Sequence, residues 1–246
     1  MTREPRVAVV TGGAAGIGAA TVATLHRAGW LVHSVDLKES ATPGVRSHVA
    51  DVSDESALQL IAEEVGTVDA IVTAAGIHLH DDGPAHHLSL NAWDRTLAVN
   101  LTGTLLTVRT LYPQLREGGS IVTVGSVAGI AGMPGGDAYT ASKGAIVAMT
   151  RTWAVDFSRY GVRVNCVCPG LTGTAMLDSI LDDVDDPIGT PQQRVGSPEE
   201  VAAVIAFFAS KESTFVSGAI VPVDGSASTA LGGTKFPARR SRLPAE

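Results

Sequence analysis

The sequence predicts an α/β fold: one domain, with a doubly wound parallel sheet of about seven strands and helices on both of its faces. Three observations lead there. Short, β-branched apolar runs alternate with longer helix-like segments from one end of the chain to the other, and right-handed crossovers turn such an alternation into a sheet covered on both sides. Hydrophobic residues make up 45% of the 246 and charged residues 17%, which is core material rather than the composition of a disordered chain. No linker, repeat or compositional break divides the sequence, so residues 1–246 read as a single domain.

In order, the strand-like runs are residues 6–11, 31–36, a weaker 46–51, 68–73, 120–125, 162–168 and 219–223. Their continuous apolar content marks strands buried on both faces, as parallel strands are. Helix-like segments fall between them at 16–28, 54–65, 92–115, 139–160 and 198–210. The last has a clear start: Ser197, then Pro198 at the first helical position, with Glu199 and Glu200 in the first turn. Residues 171–195 show no clear periodicity, are rich in Asp and Pro, and read as a mobile flap. The 27 glycines and 4% aromatic content predict many tight turns and an interior packed by Ala, Val, Leu and Ile.

A formal charge of −7 argues against nucleic acid and anionic membranes as partners. Lys235, Arg239, Arg240 and Arg242 crowd a basic terminus over about 234–246. A solvated end is expected there, the alternative being a contact or anion site reaching a neighbouring subunit. Cys166 and Cys168 stand on one face of one strand, a spacing poor for a disulfide and short of partners for a metal. Buried thiols are expected. The first ten residues show no signal peptide, and the longest uncharged stretch, 118–136, contains seven glycines and Pro134, unlike a membrane span. A soluble cytoplasmic protein is expected.

The first strand runs straight into Thr11-Gly12-Gly13-Ala14-Ala15-Gly16-Ile17-Gly18, and a helix follows. Glycine is needed where the backbone turns tightly and where a pyrophosphate must approach main-chain amides with no Cβ between them. The helix start adds free N–H groups and a partial positive charge. Asp36 ends the second strand, twenty positions after Gly16. That combination is the context of a dinucleotide site, with Gly12, Ala15, Gly16, Ile17, Gly18 and Asp36 as cofactor-binding residues. A carboxylate at 36 can bind both ribose hydroxyls but repels a 2′-phosphate. Ala14 and Ala15 are neutral, and the nearest base, Lys38, lies beyond the acid. NAD(H) is expected over NADP(H).

Further along stand Asn100, Ser126 and Tyr139-Thr-Ala-Ser-Lys143. Hydride transfer to a ketone leaves negative charge on oxygen that must be protonated, and alcohol oxidation is the reverse. Tyr139 can be that acid/base if its pKa falls from about 10 toward neutrality. Lys143 lies one helical turn on, on the same face, and brings a positive charge near the phenol. A fall of about two units corresponds to about 2.7 kcal/mol of phenolate stabilisation.

The Thr11-Gly-x-x-x-Gly-x-Gly18 spacing, Asp51-Val52, Ala75-Gly76, Asn100-Leu-Thr-Gly103, Ser126 thirteen residues before Tyr139, Tyr-x-x-x-Lys, and Asn165 with Pro169-Gly170 and Thr174 follow one another in that order. In this the sequence resembles the short-chain dehydrogenase/reductase family, from about Arg6 to Gly225. The resemblance implies a Rossmann fold and an NAD(H)-dependent oxidoreductase that interconverts a secondary alcohol and a ketone. It implies a catalytic set of Asn100, Ser126, Tyr139 and Lys143. Ser126 would hydrogen-bond the substrate oxygen, Lys143 would also hold the nicotinamide ribose, and Asn100 would hold a water that relays protons past Lys143. Asp51 and Val52 would flank the adenine, Ala75 and Gly76 would pass under the adenosine half, and Thr174 would reach the phosphates or carboxamide beside Pro169 and Gly170. Thr172 is a competing hydroxyl; Asp51 could instead cap the next helix, and Val52 could belong to the core. The family usually has Asn at one of the positions of Thr73 and Ala74, and Asp-Gly-Gly where this chain has Asp224-Gly225-Ser226.

His78, His80, His86 and His87, with Asp81 and Asp82, follow the Ala75-Gly76 turn. Their spacing fits no helix face, so a polar surface loop is expected rather than a metal site; only His78 is a candidate pocket residue. By the resemblance, the substrate lies between Ser126, Tyr139 and a lid over 171–195, against the apolar Val127, Ile130, Ala131, Met133, Met176 and Leu177. Asp178, Asp182, Asp183, Asp185 and Asp186 make the lid acidic, and Arg194 is its only base. A neutral, mostly hydrophobic alcohol or ketone is expected. The alternatives are a reductase of 3-oxoacyl thioesters on an acyl carrier, a cyclic dihydrodiol dehydrogenase, and a non-catalytic dinucleotide sensor, which would be expected to lose the Tyr/Lys pair. Apolar residues beyond one stripe of 139–160, among them Ala145, Ile146, Met149 and Trp153, point to a helical face buried between subunits. Related enzymes pair through such helices, and a homotetramer is expected.

Overall fold

The computed structural model describes residues 5–181 and 190–229; Asp182, Asp183, Asp185 and Asp186 of the flap and the basic terminus lie outside them. Strands β1 (Val7–Thr11), β2 (Leu31–Asp36), β3 (Arg46–Val49), β4 (Val68–Thr73), β5 (Leu115–Val124), β6 (Arg163–Pro169) and β7 (Ile220–Val223) form one sheet, ordered β3-β2-β1-β4-β5-β6-β7. Every neighbouring pair is parallel. The chain winds outward one way from β1 and then the other way from β4, which opens a crevice beyond the carboxyl ends of those strands. The helices are α1 (Gly16–Arg27), α2 (Glu55–Val65), α3 (Leu90–Leu97), α4 (Gly103–Leu111), α5 (Asp137–Asp156), α6 (Ala175–Leu181) and α7 (Pro198–Ala209).

Helices α1 and α7 cover one face, where Val22, Leu25, Val201, Ile205 and Phe208 pack on Ala8, Val10, Val72, Val122 and Val167. Helices α2, α4 and α5 cover the other, with Leu58, Ile61, Leu106, Leu111 and Ala154 against Val9, Ile71, Ile121 and Val164. Successive strand residues point to opposite faces. With both faces dry, the strands have to be apolar throughout, and each large aliphatic side chain so buried contributes about 1.5–3 kcal/mol. This is the predicted fold class.

Several elements differ from expectation in detail. The helix expected over 92–115 is broken by a π-helical turn, Ala98–Thr102, between α3 and α4, and ends in a 3-10 turn, Tyr112–Gln114. No Pro or Gly within Ala98–Thr102 announces it, yet it carries Asn100 to full burial; such turns concentrate at functional sites. Gly103 follows because a Cβ there would lie 2.6 Å from Val52 Cγ2. Strand β5 begins at Leu115 rather than near Ser120, since its polar first residues continue the ladder past an irregularity between Val68 and Ala70. The flap is not wholly irregular: its described part includes α6. Asp54 caps α2, accepting from the amides of Ser56 and Ala57 at 2.9 and 3.2 Å. Helix α7 starts with the predicted Ser197, whose side chain and that of Glu200 form a reciprocal capping box.

Cys166 and Cys168 are free, fully buried thiols on β6 with sulfurs 3.7 Å apart. The turn at Asp224-Gly225-Ser226 holds Ser226 at φ +71°, a conformation suited to glycine. No helix of the described residues is long and apolar enough to cross a membrane.

Candidate active site

A cleft of about 710 Å³ opens at the carboxyl ends of the strands around β1, β4, β5 and β6. The turn after β1 forms one end. Gly12 has φ +70°, and a Cβ on it would stand 2.7 Å from the main chain of Ala75; a Cβ on Gly18 would run into the carbonyl oxygen of Gly12. Gly16, at φ +50°, faces Thr174 Cγ2, which lies 3.1 Å from where a Cβ would be. The start of α1 at Ala15 has no side-chain cap, so its first amides are left for an anionic ligand. That bare helix start, lined by residues with little or no side chain, fits a dinucleotide pyrophosphate.

Asp36 ends β2 beside this turn. Its Oδ2 accepts from the amide of Ala14 at 3.0 Å and its Oδ1 from that of Lys38 at 3.3 Å. The carboxylate is therefore fixed on the cleft wall, while Lys38 is exposed and lies off it. Asp51 Oδ1 accepts from the amide and hydroxyl of Ser53 at 2.8 and 2.7 Å, and α2 is capped by Asp54 instead. Asp51 lines the cleft; Val52 is both core and wall. Ala75, Gly76, Pro169, Gly170, Thr172 and Thr174 line it too. Both flap hydroxyls are engaged, Thr172 donating to Gly170 O at 3.0 Å and Thr174 to Thr172 O at 3.3 Å. The hydroxyl of buried Thr73 finds no partner. Thr11 holds the turn after β4 instead, its carbonyl accepting from Ala74 N at 3.2 Å and its hydroxyl from Ala75 N at 3.3 Å.

Ser126, Tyr139 and Lys143 meet on the same wall. Ser126 follows β5, and its Oγ accepts from Ala128 N at 3.1 Å. Lys143 Nζ donates to Val124 O at 3.0 Å and stands 5.7 Å from the centre of the Tyr139 ring. Burial lowers the Lys143 pKa to about 8. Burial also pushes Tyr139 up from its ordinary value, with the Ser126 side chain acting in the opposite sense. The expected fall at Tyr139 is therefore not supplied by the protein side chains: desolvation of the phenolate wins. Asn100 is the remaining residue of the expected set. It lies behind the wall, its Oδ1 accepting from Ile77 N at 2.8 Å and its Nδ2 donating to Ile77 O and Ser142 Oγ at 2.9 and 3.1 Å. It braces the turn that follows β4.

A family model described as Enoyl-(Acyl carrier protein) reductase matches residues 12–227. The chain is 37% identical over 244 residues to 2-(S)-hydroxypropyl-CoM dehydrogenase 3 of Xanthobacter autotrophicus, spanning 89% of this chain and 95% of that protein. It is 38% identical over 238 residues to cis-4-hydroxycyclohexanecarboxylate dehydrogenase of Sinomonas cyclohexanicum, with the same two coverages, 89% and 95%. The crystal structure of levodione reductase superimposes with a TM-score of 0.86 at 32% identity, over 92% of this chain and 98% of that one. The chain belongs to the short-chain dehydrogenase/reductase family. It is an oxidoreductase that interconverts a secondary alcohol and a ketone with a nicotinamide dinucleotide.

In this short-chain dehydrogenase/reductase Val127, Ala131, Met133, Met176 and Leu177 give the cleft an apolar stretch of lining. Ile130 is not on the wall; its side chain turns outward and is 40% exposed. His78 and Lys143 are the only bases lining the cleft among the described residues. Arg194, expected to be the lid's single base, is held by Glu200 through two hydrogen bonds, at 2.6 and 2.8 Å.

His80, His86 and His87 are exposed, as a polar loop predicts, and His78 lines the cleft, its ring edge-on to Tyr139 at 5.0 Å. Asp82 contradicts the surface-loop expectation. Its side chain is 1% exposed, and its two oxygens accept from the amides of Ala138 and Tyr139 at 3.0 and 2.9 Å. The only hint in the sequence was negative: Gly135-Gly136 precede α5 with no side chain able to cap it.

Proposed function

We propose that the chain is an NAD(H)-dependent dehydrogenase of a neutral, mostly hydrophobic secondary alcohol, or reductase of the matching ketone, with Tyr139 as general acid/base. The observation that carries this is the meeting of Ser126, Tyr139 and Lys143 on one wall of a cleft whose other end holds the glycine turn and Asp36. When bound, the nicotinamide supplies or takes up the hydride. Ser126 donates a hydrogen bond to the substrate oxygen, and Tyr139 passes a proton between its phenol and that oxygen. Lys143, anchored on Val124 O, keeps two ammonium hydrogens for the nicotinamide ribose and a positive charge for the phenolate. Asn100 Oδ1 accepts one main-chain amide, which leaves a lone pair for the relay water.

Asp36 favours NAD(H), because its carboxylate stands on the wall with no base beside it there. The apolar substrate wall and the engagement of Arg194 by Glu200 favour an uncharged substrate. The remaining parts are one domain over residues 1–246, a substrate lid over 171–195 and a homotetramer in the cytoplasm. NAD⁺ reduction with matched neutral and anionic secondary alcohols tests the reading. The neutral alcohols should be preferred, and Asp36→Ala should relax the preference for NAD(H). A wild type with higher kcat/KM for NADP(H) would overturn the role given to Asp36. The 34% identity over 244 residues to a 3-oxoacyl-[acyl-carrier-protein] reductase of Thermotoga maritima favours one rival, a 3-oxoacyl thioester reductase. Turnover of such a thioester well above that of simple ketones would establish it instead.

A further inference from the structure

We infer that Asp82 is a positioning residue for Tyr139: its buried carboxylate ties the first turn of α5 to the loop after β4 and so fixes where the phenol stands. The inference rests on the proposed role of Tyr139 as acid/base.

The first amides of a helix need partners from outside it. Gly136 supplies no side-chain cap, and the loop after β4 takes its place. Asp137 N donates to Gly83 O at 3.4 Å, Ala138 N to Asp82 Oδ1 at 3.0 Å and Tyr139 N to Asp82 Oδ2 at 2.9 Å. Gly83 N also donates to Asp82 Oδ1, at 2.8 Å. A carboxylate this buried is tolerable because these bonds are charge-assisted and because it faces the positive end of a 20-residue helix.

The amide that Oδ2 holds is that of Tyr139 itself, and the same loop sets the ring from a second side through His78, edge-on at 5.0 Å. The loop is in turn pinned at its start, where Asn100 holds both the N–H and the carbonyl of Ile77. Ser126 and Lys143 have separate anchors, Ala128 N and Val124 O. Losing Asp82 would thus move Tyr139 relative to partners that stay put. Asp82 is absent from the cleft wall, so it acts through Tyr139 and not on the substrate. Misplacement of a reacting group by about 1 Å can cost about 10²-fold in rate.

The test compares Asp82→Ala, Asp82→Asn, Asp82→Glu and Tyr139→Phe in the full chain, reading kcat, KM, NAD(H) affinity by fluorescence titration and melting temperature. Asp82→Ala should lower kcat by about 10- to 100-fold with NAD(H) affinity changed less than about threefold. Asp82→Asn keeps the size of the side chain and one acceptor but turns an N–H2 donor toward one of the two helix amides, and should recover only part of that loss. Asp82→Glu keeps the charge but displaces it by a methylene, and should be worse than Asp82→Asn. That order carries the test even if Asp82→Ala does not fold. Asp82→Ala with wild-type kcat and only a lower melting temperature would reduce Asp82 to a helix cap and overturn the inference, as would Asp82→Glu outperforming Asp82→Asn. Retained turnover in Tyr139→Phe would remove Tyr139 from the mechanism whatever Asp82 does. Loss of turnover in Tyr139→Phe alone, with all Asp82 variants active, would defeat only the present inference.

Discussion

Lys143 is 4% exposed, and burial holds its pKa at about 8, below the ordinary lysine value. The folded state therefore resists the proton that the unfolded chain takes readily. The resulting penalty is fully present below pH 8 and disappears as pH rises through the unfolded value of about 10.4. At neutral pH it amounts to at most about 3 kcal/mol, offset in part by the roughly 1 kcal/mol of the bond to Val124 O. Lys143→Met should accordingly abolish turnover yet melt at a higher temperature than wild type at pH 7, with the gain shrinking toward pH 10. Thermal denaturation across that range is the measurement, and a variant less stable at pH 7 would contradict the assignment of a buried charge. That Ser126, Tyr139 and Lys143 share one cleft wall was readable from their spacing. What could not be read is how far desolvation opposes the phenolate, which depends on the walls around Tyr139. Nor could the cost at Ser226: the sequence shows a serine in a Gly position, while only the backbone shows φ +71°.

Strands β2 and β3 carry a buried histidine pair. His33 Nδ1 and His48 Nε2 are 2.8 Å apart, with the rings stacked at 5.1 Å and His48 Nδ1 3.6 Å from Glu64. Burial, reinforced by His48, lowers the His33 pKa to about 4; burial lowers His48 as well, against the pull of Glu64. A histidine held neutral in the fold and protonated in the unfolded chain withdraws stability as pH falls from its ordinary value of about 6.5 toward 4. The urea midpoint should therefore fall steeply between pH 7 and pH 4.5, and His33→Leu should flatten that slope even if it lowers the midpoint at pH 7. An unchanged slope would clear the pair of any part in acid unfolding. Strands were legible at this scale because burial on both faces demands continuous apolar runs. The π-helical turn was not, since nothing in Ala98–Thr102 differs in kind from an α-helix. The N-terminal half of β5 was hidden by its polar residues, and the cap of α5 by the 56 residues that separate Asp82 from Ala138.

The exposed apolar residues bear on the whole molecule. Leu105 on α4 is 42% exposed, Val155 near the end of α5 73% and Tyr160 just beyond it 46%. The sheet has no room left for them, and a helical contact with further copies of the chain would cover them. Light scattering at micromolar concentration should give a tetramer mass, and Val155→Asp should shift it toward smaller species; a monomer mass for the wild type would contradict the assembly. Fold class was the most legible feature of all, because alternating β and α segments leave few other ways to bury both kinds of surface.

All seven strands point their carboxyl ends toward the cleft, so the turns leading from helix back to strand lie behind it. Gly29, between α1 and β2, and Gly66, between α2 and β4, sit there at φ +80° and +68° with open space around them. The two thiols of the sequence, Cys166 and Cys168, are buried. A cysteine at exposed Thr67, next to Gly66, would then be the sole thiol a maleimide could reach. Tethered through it, the protein would sit on an electrode or bead with every cleft turned outward.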